Sequence, residues 1–337
     1  MNVSRRDVLK VSAASAVAGW IPTSFGQHRL PVVGQHMDHY YEVVHDWLKP
    51  PKGLAFGDTH GLATDSKGRI YLAHTVHGSS ERSETIVVYS PQGEFIEAWG
   101  PQFKGGAHGL DIRKEGNEEF VYHCDVNRHR IAKTDLHGRV VWEYGAPKEA
   151  KVYENENSWN PTNVAFAPNG DFFVGDGYGK SYVLRYTKEG KCLGVVIEPG
   201  SEKGKVNSPH GLWVDARDGT PKLAIADRGN RRIQYFTLDG KHIKFLTEGM
   251  RLPCHIHFKG DLMLVPDLDS VVTVLDGNDK VIASLGDGAP SNLRGAPRDQ
   301  FKPGKFVHPH SSIWINDRDI VVAEWVPIGR VTLLKKL

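Results

Sequence analysis

The chain has 337 residues, with 42 lysines and arginines against 40 acidic residues and a net charge of +2. Charge this nearly balanced, with no basic stripe, excludes a nucleic-acid binder. Three cysteines are too few for a disulfide scaffold, and 36 glycines among short β-branched runs point to strands joined by turns.

The first element is an address rather than a fold element. Ser4-Arg-Arg-Asp-Val-Leu-Lys10 precedes a weakly apolar run from Val11 to Ile21. A twin arginine in this setting reads as a signal for folded export. The run is too short to anchor in a bilayer. Residues 1–26 are therefore expected to be a cleavable signal peptide handled by the twin-arginine export machinery. The mature protein is expected in the periplasm or secreted, with no membrane span.

From residue 38 to 337 one pattern recurs about every fifty residues. Its copies are His60-Gly-Leu-Ala-Thr-Asp, His108-Gly-Leu-Asp-Ile-Arg, Thr162-Asn-Val-Ala-Phe-Ala, His210-Gly-Leu-Trp-Val-Asp, Cys254-His-Ile-His-Phe-Lys and His310-Ser-Ser-Ile-Trp-Ile. Within the first copy, Gly61–Thr64, Ile70–His74, Thr85–Tyr89 and Phe95–Trp99 alternate with period two, and turns such as Ser66-Lys-Gly and Pro91-Gln-Gly divide them. Four antiparallel strands per unit and six units predict an all-β chain, a six-bladed β-propeller. The last unit holds only Ile313–Ile315, Ile320–Glu324 and Val331–Leu334. Tyr41–Leu48 resembles the fourth-strand pattern and is expected to complete that blade, closing the ring and removing two exposed edges. Residues 148–160 and 287–305 read as long rim loops. The cysteines, Cys124, Cys192 and Cys254, fall in different blades and are expected to stay unpaired.

In such a ring the first strand of each blade lines the axis. The starts of these strands carry His60, His108, Thr162, His210, Cys254 and His310. His108, His210 and His310 come from alternate blades and point inward from three sides. Three imidazoles with an open fourth position suit Zn²⁺ as a Lewis acid. Alternatively, histidines at a repeated position cap turns. His60, from the other set of blades, is expected to stand outside the cluster. The second strands end in Asp125, Asp176, Asp227, Asp267 and Glu324, which are expected to bond turn amides. Tyr178 and Arg228 follow two of them and can reach over the channel, the tyrosine as a base and the arginine as a carboxylate clamp. Packing at the rim is the alternative for both.

At these residues the chain resembles a known family. Asp227-Arg-Gly-Asn-Arg-Arg-Ile is close to the turn of NHL repeats. More narrowly, Ala107-His-Gly-Leu-Asp-Ile, Asn160-Pro-Thr-Asn-Val-Ala-Phe-Ala-Pro with Val174-Gly-Asp-Gly-Tyr178, Ser208-Pro-His-Gly-Leu with Ala226-Asp-Arg228, and Pro309-His310 resemble the peptidyl-α-hydroxyglycine α-amidating lyases. The resemblance spans about residues 55 to 335. It implies a zinc enzyme that splits a carbinolamide into an amide and glyoxylate. It further implies His108, His210 and His310 as zinc ligands, Tyr178 as catalytic tyrosine, and Arg228 as an active-site arginine. Leu62 and Leu110 fall where backbone carbonyls hold a structural Ca²⁺. The chain departs from the pattern in three places. Thr75 replaces a second arginine, for which Arg82 is the nearest substitute. Ser311 replaces the calcium carboxylate, and His308 a methionine. His74, Arg82 and His308 are thus expected to shape the substrate pocket. The partner is a small-molecule or peptide substrate. A metal-dependent hydrolase on the same site, and a non-catalytic propeller binding peptide, glycan or protein, are the competing readings.

Overall fold

The computed structural model describes residues 30–34 and 38–337. The expected signal peptide, residues 1–26, lies outside them. Among the described residues no helix is long and apolar enough to cross a membrane.

Six antiparallel sheets form a six-bladed propeller. Blade one is Thr59–Thr64, Ile70–His74, Ile86–Tyr89 and Phe95–Trp99, in spatial order from axis to rim. The inner strands of blades two to four are Ala107–Glu115, Asn163–Phe166 and Pro209–Asp215. Blade six is built from Pro309–Trp314, Ile320–Glu324 and Arg330–Lys336, and Tyr40–Val44 pairs onto the last of these with Tyr41 opposite Lys336. The N-terminal closure is as expected. One strand is additional: Val32–Gly34 pairs outside Tyr40–Val44, so blade six has five strands. Blade five departs from the repeat. Its inner strand runs only over His257–Lys259, and Cys254, expected to start it, sits off the ladder with its N–H on the Pro266 carbonyl at 2.9 Å.

The apolar face of each blade packs on its neighbour, giving six clusters around the ring. Leu48, Leu54 and Phe56, just after the closing strand, join Leu72, Val87, Val321 and Val331 between blades one and six. Tyr41 and Val43, on the strand itself, pack on Val272, Leu285 and Leu334 between blades five and six. The seam between blades one and six is also stitched near the axis, where Thr59 Oγ1 donates to the Glu324 carbonyl at 2.7 Å. All three cysteines are buried and unpaired, although Cys124 and Cys192 share one core cluster.

The repeated acids do hold amides. Asp176 accepts from the Asn160 N–H at 2.7 Å, Asp227 from Asn207 at 2.6 Å, Asp267 from Arg251 and Leu252 at 2.8 and 2.7 Å, and Glu324 from Val307 at 2.6 Å. Each grips the loop that leads into its own inner strand.

Two outcomes test this architecture. Deleting residues 38–48 removes the buried Tyr41, Val43 and Leu48 and reopens a sheet edge. At roughly 1.5–3 kcal/mol for each buried side chain, urea unfolding is expected to show a loss of at least about 5 kcal/mol. An unchanged midpoint would refute the closure. The second outcome concerns pH. Burial lowers the pKa values of His74 and His123 to about 3 and of His255 to about 4. The unfolded chain takes protons near pH 6.5 that these rings refuse, so stability falls as pH drops from 6.5 toward 4, by about 1.4 kcal/mol per pH unit per ring. Asp111 and Asp176, raised by burial to about 7 and about 6, act in the opposite sense. Buried histidines outnumber them, so the net slope is expected to be loss toward acid, read from urea midpoints across that range.

Candidate active site

The inner strands bring four imidazoles together at the axis. Ring centroids of His60 and His108 lie 4.5 Å apart, His60 and His310 4.6 Å, His108 and His210 4.9 Å, and His310 4.8 Å from both His108 and His210. His60 therefore belongs to the cluster, against expectation. The six inner strands converge so closely that a neighbouring blade's ring at the same level meets the alternate set; His60 Nδ1 is 3.3 Å from His310 Nε2.

The alternate set is nevertheless distinct in orientation. His108 Nδ1 donates to the Thr162 carbonyl at 2.8 Å, His210 Nδ1 to the Cys254 carbonyl at 2.8 Å, and His310 Nδ1 to the His60 carbonyl at 3.3 Å. In each case the acceptor is the first residue of the next blade's copy of the repeat. A carbonyl on Nδ1 fixes the tautomer and leaves the Nε2 lone pair free, the arrangement found behind metal-ligating histidines. Burial is the main cause that keeps these rings neutral: it lowers His108 to about 3 and holds His60, His210 and His310 well below the usual imidazole range. Among the described residues two sets offer ligand atoms within 4.8 Å of one another, His60 with His108 and His310, and His210 with Cys254 and His310. The donor set of buried, neutral nitrogens and one sulfur fits a borderline-soft divalent ion such as Zn²⁺. With Leu110, Thr162, Asn163, His255 and Ser311 they line an axial cavity of about 10 Å³, room for one water-sized species.

Tyr178 and Arg228 stand over this cluster. The Tyr178 hydroxyl lies 2.9 Å from His210 Nε2 and 3.3 Å from His108 Nε2, while its ring stays 40 % exposed at the mouth. Its loop is held by the Tyr178 N–H on the Asn160 carbonyl and by Ser208 Oγ on the Gly177 carbonyl. Arg228 approaches the Tyr178 hydroxyl at 3.5 Å and Ser208 Oγ at 3.1 Å. Among the described residues no carboxylate pairs with it. Burial raises the Tyr178 pKa, and Arg228 partly opposes that.

Each of the three expected pocket residues is engaged by neighbours of its own. His74 ends the second strand of blade one, where other blades carry an acid, and its Nδ1 accepts from Val76 N–H at 3.0 Å and Gly57 N–H at 3.4 Å. It is fully buried against Phe56, a neutral replacement for the repeated carboxylate. Arg82 is committed to Glu84 at 2.7 Å. His308 gives its Nδ1–H to the Leu268 carbonyl at 2.7 Å and sits beside Trp325. Leu62 and Leu110 are buried on their inner strands, but Ser311 offers only a hydroxyl, 3.5 Å from His255 Nδ1, and neither ligand set includes a carboxylate, so the geometry gives Ca²⁺ no support.

Sequence reasoning missed Arg294. It comes from the long loop between blades five and six, lies 3.7 Å above the Trp325 ring, and binds both oxygens of Asp58 at 2.8 and 3.0 Å. The Asp58 N–H is held by Thr75 Oγ1 at 3.0 Å, so this guanidinium reaches the corner where Arg82 was expected. Only the length of the 287–305 loop hinted at such reach.

No family model matches the chain. It is 26 % identical over 335 residues to peptidylglycine alpha-amidating monooxygenase of Rattus norvegicus, covering 89 % of this chain but only 33 % of that protein. Peptidyl-alpha-hydroxyglycine alpha-amidating lyase 2 of Drosophila melanogaster is 24 % identical, covering 84 % of this chain and 71 % of its own length. Among solved structures, a streptogramin B lyase superposes with a TM-score of 0.58 at 13 % identity, over 88 % of this chain and 98 % of that one, a likeness of fold. The chain is thus a six-bladed propeller that resembles the peptidyl-α-hydroxyglycine α-amidating lyases over most of its length.

Proposed function

We propose that the protein is a metal-dependent lyase acting on an α-hydroxyglycine-type carbinolamide at the mouth of the axial channel. The observation that carries this reading is the common orientation of His108, His210 and His310, each with Nδ1 tied to a carbonyl and Nε2 facing the hydroxyl or ring beside it. His310 offers a ligand atom within 4.8 Å of one on His108 and of one on His210, and the His108 and His210 Nε2 atoms share the Tyr178 hydroxyl, so these three rings are the proposed imidazole ligands. When bound, a divalent cation such as Zn²⁺ supplies Lewis acidity at the substrate hydroxyl and a positive field that lowers the Tyr178 pKa.

The residues around it divide the remaining work. Arg228, which pairs with no carboxylate among the described residues, takes the substrate carboxylate. Its guanidinium beside the Tyr178 oxygen also favours the phenolate. Tyr178 then accepts the substrate hydroxyl proton. As the O–H bond breaks, the carbonyl of glyoxylate forms, the C–N bond breaks, and the nitrogen leaves as an amide carrying the proton. The Arg5-Arg6 motif supports export of the folded enzyme to the periplasm or beyond.

The deciding experiment incubates zinc-loaded protein with a benzoyl-α-hydroxyglycine and measures glyoxylate. Release above the uncatalysed rate is expected, and none would remove the lyase reading. Tyr178→Phe is expected to keep its metal and slow turnover by about 10²–10⁴-fold. Arg228→Gln is expected to act chiefly on KM. His210→Ala is expected to lose most bound metal by elemental analysis while melting as a folded ring; unchanged metal content would end the zinc proposal.

A further inference from the structure

Two of the six copies of the axial position are not histidine, and they behave differently. Thr162 turns its hydroxyl onto backbone, 3.1 Å from the Pro209 carbonyl and 3.2 Å from that of Gly175. Its hydroxyl is satisfied by these two carbonyls, although Thr162 also lines the axial cavity. Cys254 lines the axial cavity beside His210 and His310. Its thiol donates to the Leu252 carbonyl at 3.6 Å and accepts from Arg228 Nη1 at 3.8 Å, weak bonds that a metal ion could displace. The same sulfur lies within 4.8 Å of a ring nitrogen of His210 and of His310.

The backbone explains why the sulfur reaches this point. Cys254 is off the regular ladder, between the Pro253–Asp267 bridge and the strand that starts at His257. Asp267 fixes that departure by accepting from Arg251 and Leu252. Cys254 also orients His210 through its carbonyl. One residue therefore positions an imidazole and offers a soft donor to the same place. A buried cysteine is more often a small apolar filler, but this one faces polar ring nitrogens rather than apolar side chains.

We propose that Cys254 is itself a ligand of the channel metal, so that the ion sits in a mixed imidazole and thiolate shell with His210 and His310. This rests on the proposed metal site. Binding exchanges the thiol proton for the metal ion, the proton leaving to solvent, with no change of oxidation state. The shell favours zinc, cobalt or copper over magnesium or manganese.

The test uses Co²⁺ added to metal-free protein and reads the absorption spectrum, with no substrate present. One equivalent is expected to bind and to show an intense near-ultraviolet thiolate-to-cobalt charge-transfer band. Cys254→Ser is expected to lose that band while keeping the visible bands of imidazole-bound cobalt. Cys124→Ala and Cys192→Ala are expected to keep both. Should Cys254→Ser fail to fold, the wild-type spectrum decides alone against the two other cysteine variants. Visible cobalt bands without charge transfer would overturn the thiolate ligand and leave the imidazole site standing. Failure to bind cobalt at all would overturn both.

Discussion

The structure depends on one repeated contact, an acceptor at the end of the second strand that in five of the six blades holds the loop entering the first. Asp176, Asp227, Asp267 and Glu324 do this with amide donors at 2.6–2.8 Å. A buried carboxylate is tolerable only with such donors. Arginines complete the shell in two blades, Arg232 on Asp227 and Arg330 on Glu324. Blade one reaches the same result with a neutral ring, His74 on Gly57 and Val76. Blade two differs, since Asp125 holds its own turn at Asn127 and Arg128. Because entry loops are fixed in this way, side chains at the same repeat position arrive at one level of the channel. The active-site constellation is in this sense a product of loop anchoring at the ends of the second strands.

Convergence at one level creates a problem that chemistry must settle. Four imidazoles, each within 5 Å of at least two others, cannot all carry charge in a buried site. Burial leaves them neutral, and neutrality gives each ring a lone pair. The propeller then decides which nitrogen holds it. For His108, His210 and His310 the neighbouring blade supplies a carbonyl to Nδ1, so the fold itself furnishes the outer layer that a metal site needs. His60 has His310 Nε2 against its Nδ1 instead, which separates it in role even though it is equal in proximity.

The ring, its closure and the three alternate histidines were legible because they are periodic. A copy number, a missing last strand and a recurrent His-Gly-Leu can be counted without knowing any distance. What was not legible is local or long-range. His60 joined the cluster because channel width, unlike repeat phase, is not written in the pattern. His74 looked like a free pocket histidine because the repeat offers an acid there in other blades, and a neutral acceptor serving the same amides is recognised only in three dimensions. Arg82 was nearest in sequence to the empty corner, yet Glu84 two residues away binds it. Arg294 fills that corner from more than 230 residues beyond Asp58 along the chain. Val32–Gly34 was missed because three residues carry no readable alternation.

The mouth is left unbalanced in a way that points to its ligand. Asp58, leading into blade one, and Arg228, in blade four, belong to blades that face each other across a six-bladed ring. On the blade-one side the cation is neutralised: Arg294 has Asp58 and a tryptophan face. On the blade-four side Arg228 has hydroxyls, a thiol and the face of the Tyr178 ring, but no carboxylate among the described residues. Between them lie ring nitrogens with lone pairs turned toward one another and toward the Tyr178 hydroxyl. A cation without an anion, and imidazole acceptors that must share the single Tyr178 hydroxyl, leave buried polar groups underpaired. Each deficit is removed by a specific addition, the first by an anion at Arg228 and the second by a cation among the imidazoles. On the proposed function, a carboxylate-bearing substrate with an oxygen on a bound metal would remove both together, entering from the side where Arg228 lacks an anion.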